Sequence, residues 1–372
     1  MADSTIVNKI RNLNQTWPMP SRKRPIVIIG AGSIVTDAHL PAYKKSGFEV
    51  LGIFDVKQDQ AQRVADAHNI PNVYGSLQDA LSQDAVLDVA VPPVHLLDVV
   101  SNFPDNAVAV LQKPLGTNLD EAYEICRIAK KKSLIAKVNF QLRFSPMMLA
   151  LRDAIEKDMI GQVTDLDLHL TARQPWECWP HMEALEAMEV VMHSIHYMDW
   201  VRSVLGEPIG IYSKSVKHPD YPRLADARGT TILEFEAPIR ASLAMNHTYK
   251  HGPGHQDASI RVDGEKGCAW IKLGLLLNYP VGEPDELEVA SQGTDGFVAV
   301  PLVGGWFPDG FIGVMANLQR FAAGEDAILV SSCDDALKTM ALVDACIRSS
   351  RSGATSIRQS SQNKSKKFTN GR

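Results

Sequence analysis

The run Ile26-Val27-Ile28-Ile29-Gly30-Ala31-Gly32-Ser33-Ile34-Val35 constrains this chain more than any other stretch. Four consecutive branched aliphatic residues read as a strand buried on both faces, the pattern of a parallel sheet. The glycines give that strand a tight exit. Gly30 permits the turn, and Gly32 removes a Cβ where a pyrophosphate would approach the backbone. A helical stretch follows, so its first N–H groups, those of Ser33 and Ile34 among them, would meet an anion at the positive end of the helix dipole. A second strand, residues 50–54, runs into Asp55, 23 residues beyond Gly32, near the spacing of a carboxylate that accepts from a ribose diol. The next residues, Val56-Lys57, are not an arginine pair suited to a 2′-phosphate, which favours NAD over NADP. Two features depart from the ideal fingerprint. Val35 stands at the third glycine position, and Pro41 falls inside the following helix, where it should kink it.

The pattern continues downstream. Apolar runs at 26–29, 50–54, 86–91, 107–111 and 134–138 alternate with helix-like segments near 36–46, 58–68, 76–82, 94–102 and 118–132. This predicts a doubly wound parallel sheet over residues 22–145. From 146 to 350 the period changes. Helices are expected at 147–159 and 185–205, the second stopped by Gly206 and Pro208. Alternating strands follow the first helix at 164–171 and the second at 209–216, 230–236, 242–248, 259–262, 268–273, 287–290 and 298–302, with a hairpin at 263–267. They predict an open mixed, mostly antiparallel sheet with helices on one side, closed by helices at 311–323 and 334–348. Residues 1–21 form a polar arm, either disordered or docked on a neighbouring subunit, and residues 351–372 a basic, solvated tail.

Composition narrows the function classes. With 372 residues, 45% of them apolar and 22% charged, the chain can bury a real core in two or three domains. Its net charge of −5 supplies no general field for nucleic acid. Residues 347–372 carry seven basic and no acidic side chains, which reads as a solvated end rather than a nucleic-acid arm. Five widely spaced cysteines without a C-x-x-C pair indicate no disulfide framework and no zinc ribbon, hence a reducing, cytoplasmic setting. No apolar run approaches the roughly 20 residues of a membrane helix. The Arg22-Lys23-Arg24 cluster before an apolar run imitates a signal peptide, but the run contains two glycines and lacks a cleavage site.

Several residues are candidates for chemistry. Lys113, in Gln112-Lys113-Pro114, follows a central strand, where doubly wound sheets place their ligands; elsewhere it would be an ordinary loop lysine. In residues 192–199 helical spacing puts Met192, Ile195, His196 and Asp199 on one face, and histidine suits proton transfer near neutral pH. His193 and His196 form only a weak i,i+3 metal pair with no third ligand, so no metal is expected. His251 and His255 bracket a Gly-Pro-Gly turn. Arg143 follows the last parallel strand and is expected to face the cleft. Trp176, with Trp179-Pro180-His181, and Trp306 lie in aromatic loops that would suit a sugar ring or an aryl glycoside, or would simply pack beneath the loops.

With these residues in view, the chain resembles the Gfo/Idh/MocA oxidoreductases, relatives of glucose–fructose oxidoreductase and inositol dehydrogenase. The likeness covers roughly residues 24–352. It rests on the glycine loop with His39-Leu40-Pro41, on Pro92-Pro93-Val94-His95, on Gln112-Lys113-Pro114-Leu115, on residues 139–144, and on His196 with Asp199. The resemblance implies a Rossmann domain followed by an α/β domain whose open sheet often joins subunits into a homo-oligomer. It implies nicotinamide-dependent chemistry on sugars and polyols, with Lys113 and His196 catalytic, Pro92 and His95 lining the nicotinamide side, Gln112 beside the cofactor, His193 toward the substrate, and a cis Lys113–Pro114 bond. Two positions depart from the family pattern: Gln112 replaces a glutamate and Met192 an aspartate. Each loss removes a negative charge and should leave Lys113 and His196 less firmly cationic. The reading that follows is hydride transfer between NAD and a secondary hydroxyl, with glycoside 3-oxidation as one version. Its rivals are an NAD-dependent glycosidase working by transient oxidation and elimination, and a non-catalytic NAD or sugar sensor.

Overall fold

The polar N-terminal arm folds onto its own chain. In the computed structural model, which describes residues 4–176, 182–183, 185–279 and 281–355, a short helix α1 (Ser4–Arg11) buries Ile10, and Leu13 is buried just beyond it. The Gln15 amide donates to the Pro301 carbonyl (3.0 Å) and accepts from Val303 N–H (2.9 Å). Trp17 Nε1 donates to Asp326 (2.8 Å), and its ring meets Phe144 edge-on at 5.2 Å. The expectation of a disordered arm, or one docked on a neighbour, is therefore corrected. Its apolar residues are too sparse to register as a period, but Ile10, Leu13 and Trp17 each find a place on the same chain.

Five strands, β1 (Ile26–Ile29), β2 (Val50–Phe54), β3 (Val86–Val89), β4 (Val108–Leu111) and β5 (Ile135–Val138), pair in parallel in the order β2-β1-β3-β4-β5. Helices α2 (Leu40–Ser46), α3 (Gln58–His68), α4 (Leu77–Leu81), α5 (Pro93–Ser101) and α6 (Leu119–Lys131) connect them. Strands β1, β3 and β4 are buried at every residue, which is why their sequences run apolar without alternation. The exception is Asp88 in β3, fully buried, which accepts from Tyr43 (2.8 Å) and bonds His39 Nδ1 (2.6 Å). His39 Nε2 in turn meets the Asn139 amide at 3.3 Å. Pro41 does not kink a helix as expected. A π turn over Val35–His39 precedes it, closed by Leu40 N–H on the Val35 carbonyl, and Pro41 falls in the first turn of α2, where no N–H is needed.

The chain then forms a 3₁₀ turn (Gln141–Phe144), α7 (Pro146–Glu156) and β6 (Val163–Thr171), and, after a π segment (Glu189–Ser194), α8 (Ile195–Leu205). Strands β7 (Gly210–Val216), β8 (Arg228–Glu234), β9 (Arg240–Asn246), β10 (Asp257–Gly264), β11 (Gly267–Lys272), β12 (Glu286–Ser291) and β13 (Val298–Ala299) follow. The second sheet runs β13-β12-β11-β10-β6-β9-β8-β7, antiparallel throughout except for the parallel pair β6–β9. The expected architecture, a parallel sheet followed by a mixed, mostly antiparallel one, is what the chain adopts. The sheet alternates buried and exposed residues, so one face packs and the other stays open.

Helices α9 (Asp309–Ala322) and α10 (Cys333–Ser352) close the fold and return to the first sheet. The buried Lys137 amine of β5 donates to Asn317 Oδ1 on α9 (2.8 Å). Helix α10 runs through Ser352, so the start of the expected tail is helical; its residues from 356 lie outside the described ones. Among the described residues, no helix is long and apolar enough to cross a membrane.

The arm's packing generates a prediction. Ile10→Ala should lower unfolding stability by about 2–5 kcal/mol, measured by urea denaturation. The loss should not depend on protein concentration, because Ile10 is buried against its own chain.

Candidate active site

The first half of the site is the end of β1. Gly30 has φ +106°, and a Cβ there would fall 2.4 Å from the Ala90 carbonyl oxygen, so only glycine fits. Gly32 differs: a Cβ would meet nothing within 4 Å, so its bare backbone borders open space. Helical structure starts at Ser33 and Ile34, whose N–H groups belong to the first, unpaired turn. Asp55, at the end of β2, accepts from Ala31 N–H and Lys57 N–H (both 2.8 Å), one on each oxygen. Each carboxylate oxygen keeps a lone pair for a ribose hydroxyl. Pro92 caps α5, and His95 lies exposed in its first turn, beyond the end of β3. A cradle open at Gly32, a helix N-terminus and an acid at the adjoining strand end together fit a dinucleotide.

The second half joins the end of β4 to the helix that carries His196. The Lys113–Pro114 bond is cis, as the resemblance implied. Gln112 Oε1 accepts from Lys113 N–H (3.1 Å), and the Lys113 amine donates to the Met192 carbonyl (2.8 Å). The partner that anchors the lysine is thus a neutral backbone carbonyl. Burial lowers the Lys113 amine to about 8. Burial, and after it the Lys113 charge, holds His196 well below 6.5. Desolvation is the main cause of both shifts. His196 is walled edge-on by Phe140 (6.4 Å) and Trp306 (6.0 Å), and its Nδ1 is buried without a hydrogen-bond partner among the described residues. Trp306 Nε1, also buried, is similarly unpartnered. Unpaired polar atoms are costly in an interior, and here two lie on adjoining rings.

One expectation about substrate residues changes, and the alternatives for Trp176 narrow to packing. Arg143 does not reach into the cleft. Its guanidinium grips Asp199 with Nε and Nη2 (2.5 and 2.6 Å) and Asp335 with Nη1 (3.0 Å), so two carboxylates take its donors. Trp176 is not an open platform: it is 6% exposed, and its Nε1 donates to the His247 carbonyl (3.1 Å). The His193 ring stacks on that of His247 (centroids 4.3 Å, 30°), and both lie beside Glu189. Trp179, Pro180 and His181 lie outside the described residues. Sequence reasoning missed Glu189 and His247. The Glu189-x-x-x-His193 spacing on a helical stretch was a usable signal for the first; nothing local points to His247.

Two family models cover most of the chain. Residues 24–140 match the Gfo/Idh/MocA model described as "Oxidoreductase family, NAD-binding Rossmann fold", and residues 152–357 match its "C-terminal alpha/beta domain". The chain is 24% identical over 351 residues to an inositol 2-dehydrogenase/D-chiro-inositol 3-dehydrogenase of Shouchella clausii, covering 88% of this chain and 91% of that one. Among solved structures, a levoglucosan dehydrogenase in complex with NADH and levoglucosan is similar with a TM-score of 0.73 and 18% identity, covering 88% of this chain and 97% of that one. An Agrobacterium radiobacter oxidoreductase in complex with NAD+, L-tartaric acid and magnesium gives a TM-score of 0.72 and 20% identity, covering 88% and 96%.

Gly32 offers a clean test of the cradle. Gly32→Val should leave unfolding stability within about 0.5 kcal/mol, because the added carbons enter open space. It should weaken NAD binding more than tenfold by calorimetry, because the added carbons would fill the space the cradle offers a pyrophosphate.

Proposed function

The chain belongs to the Gfo/Idh/MocA oxidoreductase family, and on that premise we propose that it oxidises a secondary hydroxyl of a sugar, polyol or glycoside with NAD, glycoside 3-oxidation being one version. The observation that carries this reading is the Lys113 amine held against the helix of His196 at the end of a central strand of an NAD-binding sheet.

When bound, the nicotinamide supplies the hydride acceptor. The residues of this chain must handle the proton and the charge. Burial keeps His196 neutral at neutral pH, so its imidazole can take the hydroxyl proton. Lys113, protonated below about 8, donates to the oxygen that becomes an alkoxide. Phe140 and Trp306 exclude water around the imidazole, which strengthens both interactions. Gln112 accepts from the Lys113 N–H, and Ser33, Ile34, Gly30, Gly32 and Asp55 would hold the dinucleotide. The free thiols of Cys126, Cys268, Cys333 and Cys346 support a reducing, cytoplasmic setting.

Lys113→Met should lower kcat by about 10²–10³, with NAD affinity by calorimetry little changed. Activity near wild type would remove Lys113 from the mechanism. The pH dependence follows from the two shifts. The charged lysine is lost as pH rises through about 8, so kcat/KM should fall above that point, while the neutral histidine keeps the acid limb well below 6.5. A rate that instead rises through 8 would make the neutral amine the base. A panel of inositols, sugars and glycosides, followed by NADH absorbance and product analysis, identifies the substrate. Aglycone release without net NADH would favour the glycosidase, and NAD binding without turnover the sensor.

The open face of the second sheet supports a homo-oligomer. Tyr212 and Ile232 sit opposite each other on β7 and β8 and are 63% and 46% exposed. Sedimentation should find an oligomer that Ile232→Lys dissociates.

A further inference from the structure

One cluster of ligating side chains is left unused by the hydride chemistry. Glu189 and His193 stand four residues apart on the π segment, and His247 follows β9. Glu189 Oε2 is 2.6 Å from His247 Nδ1 and 3.8 Å from His193 Nδ1, and one ligand atom from each residue lies within 4.8 Å of the others. A tetrahedral zinc ion with bonds of 2.0–2.1 Å holds its ligand atoms about 3.3 Å apart, so the observed spacings bracket that value.

The surroundings point the same way. His193 Nδ1 is buried and has no hydrogen-bond partner among the described residues, a costly state for an imidazole that has no ligand to bind. The two imidazoles lie face to face and share one carboxylate, although a single hydrogen bond would satisfy only one of them. The other Glu189 oxygen is held by Ser194 Oγ (3.0 Å), which directs Oε2 at the histidines. Trp176 stands edge-on to both rings, at 5.5 and 6.3 Å, and anchors the His247 carbonyl. Ligands oriented by hydrogen-bonded and apolar neighbours are the usual outer shell of a metal site.

We infer that Glu189, His193 and His247 bind a divalent transition-metal ion, with Zn²⁺ the best match. Two imidazoles and one carboxylate form the borderline donor set that suits zinc and its first-row neighbours. Three protein ligands leave a fourth position open. The Glu189 and His247 side chains are each 1% exposed and that of His193 22%, so the open position lies on the His193 side, where water or a substrate hydroxyl would complete the shell. Met192, whose carbonyl anchors Lys113, adjoins His193, which sets the ion beside the reacting centre without using either catalytic group.

The test uses the full chain without an affinity tag, stripped by a chelator and titrated with Co²⁺ alone. One equivalent should bind, with visible ligand-field bands of tetrahedral intensity, and Zn²⁺ should displace it. X-ray absorption of the zinc-loaded wild type should show two imidazoles in the first shell, a readout that needs no variant. His193→Gln, at the least buried ligand, and Glu189→Gln should each weaken binding by at least about 10–100-fold, since loss of an outer-shell partner alone costs that much. Absence of Co²⁺ bands in the wild type, a first shell without imidazole, or unchanged affinity in both variants would overturn the site. None of these readouts involves NAD or turnover, so this site and the dehydrogenase reading can fail independently.

Discussion

The bidentate pair between Arg143 and Asp199 sets the geometry on which everything at the cleft depends. Arg143 sits in the 3₁₀ turn after the last parallel strand; Asp199 sits on α8, three residues beyond His196. Thr339 on α10 donates to the same carboxylate (2.9 Å), and Asp335 bonds both Arg143 and Arg202 (3.0 Å each). Two domains and the closing helix thus meet at one fully buried acid. Desolvating these charges consumes much of what their attraction returns, so the network is better understood as fixing orientation than as adding stability. A rotation of α8 would swing His196 off the cleft and break the planar fork at Asp199. Two charged groups with directional bonds resist that rotation as apolar packing would not.

That fixed helix also places the Lys113 amine. Its partner is the neutral Met192 carbonyl, and burial brings the amine to about 8. The nearest acid on the same stretch, Glu189, is turned away and committed to His247 and Ser194. The reacting pair therefore works in a site of low charge, where an alkoxide gains most from a single well-placed cation.

Much of the scaffold could be read from local pattern. Strands at 26–29 and 50–54 and the helix at 58–68 match the sequence reading residue for residue, because continuous apolar runs and capped amphipathic stretches are local properties. The place of Lys113 at the end of β4 was legible because it follows a central strand; its bond to the Met192 carbonyl, 79 residues on, was not. The errors share a cause. Arg143 seemed free because its partners lie 56 and 192 residues downstream, and the arm seemed loose because its contacts, such as Gln15 with Pro301, lie 286 residues away. Trp176 looked like a sugar platform because nothing local shows that the His247 carbonyl takes its N–H. Periodicity carries no information about contacts of that range.

The remaining misreading, of the residues around 35–39 and 189–194, has a more specific origin. In both places the helix opens into a π turn, and the 3.6-residue period fails there by one residue. Each π turn stands at a helix entrance facing a ligand cleft, one after the glycine loop and one before His196. Each also carries an inward polar side chain that an α-helical turn would aim elsewhere: His39 reaches Asp88 and Asn139, and Glu189 reaches His247. A widened turn sacrifices hydrogen-bond geometry and persists only where a tertiary contact repays it. The two departures from regular helix and the two buried His–carboxylate contacts are thus one feature seen twice. In both halves of the molecule the backbone yields so that a buried histidine and a buried acid can meet beside the cleft.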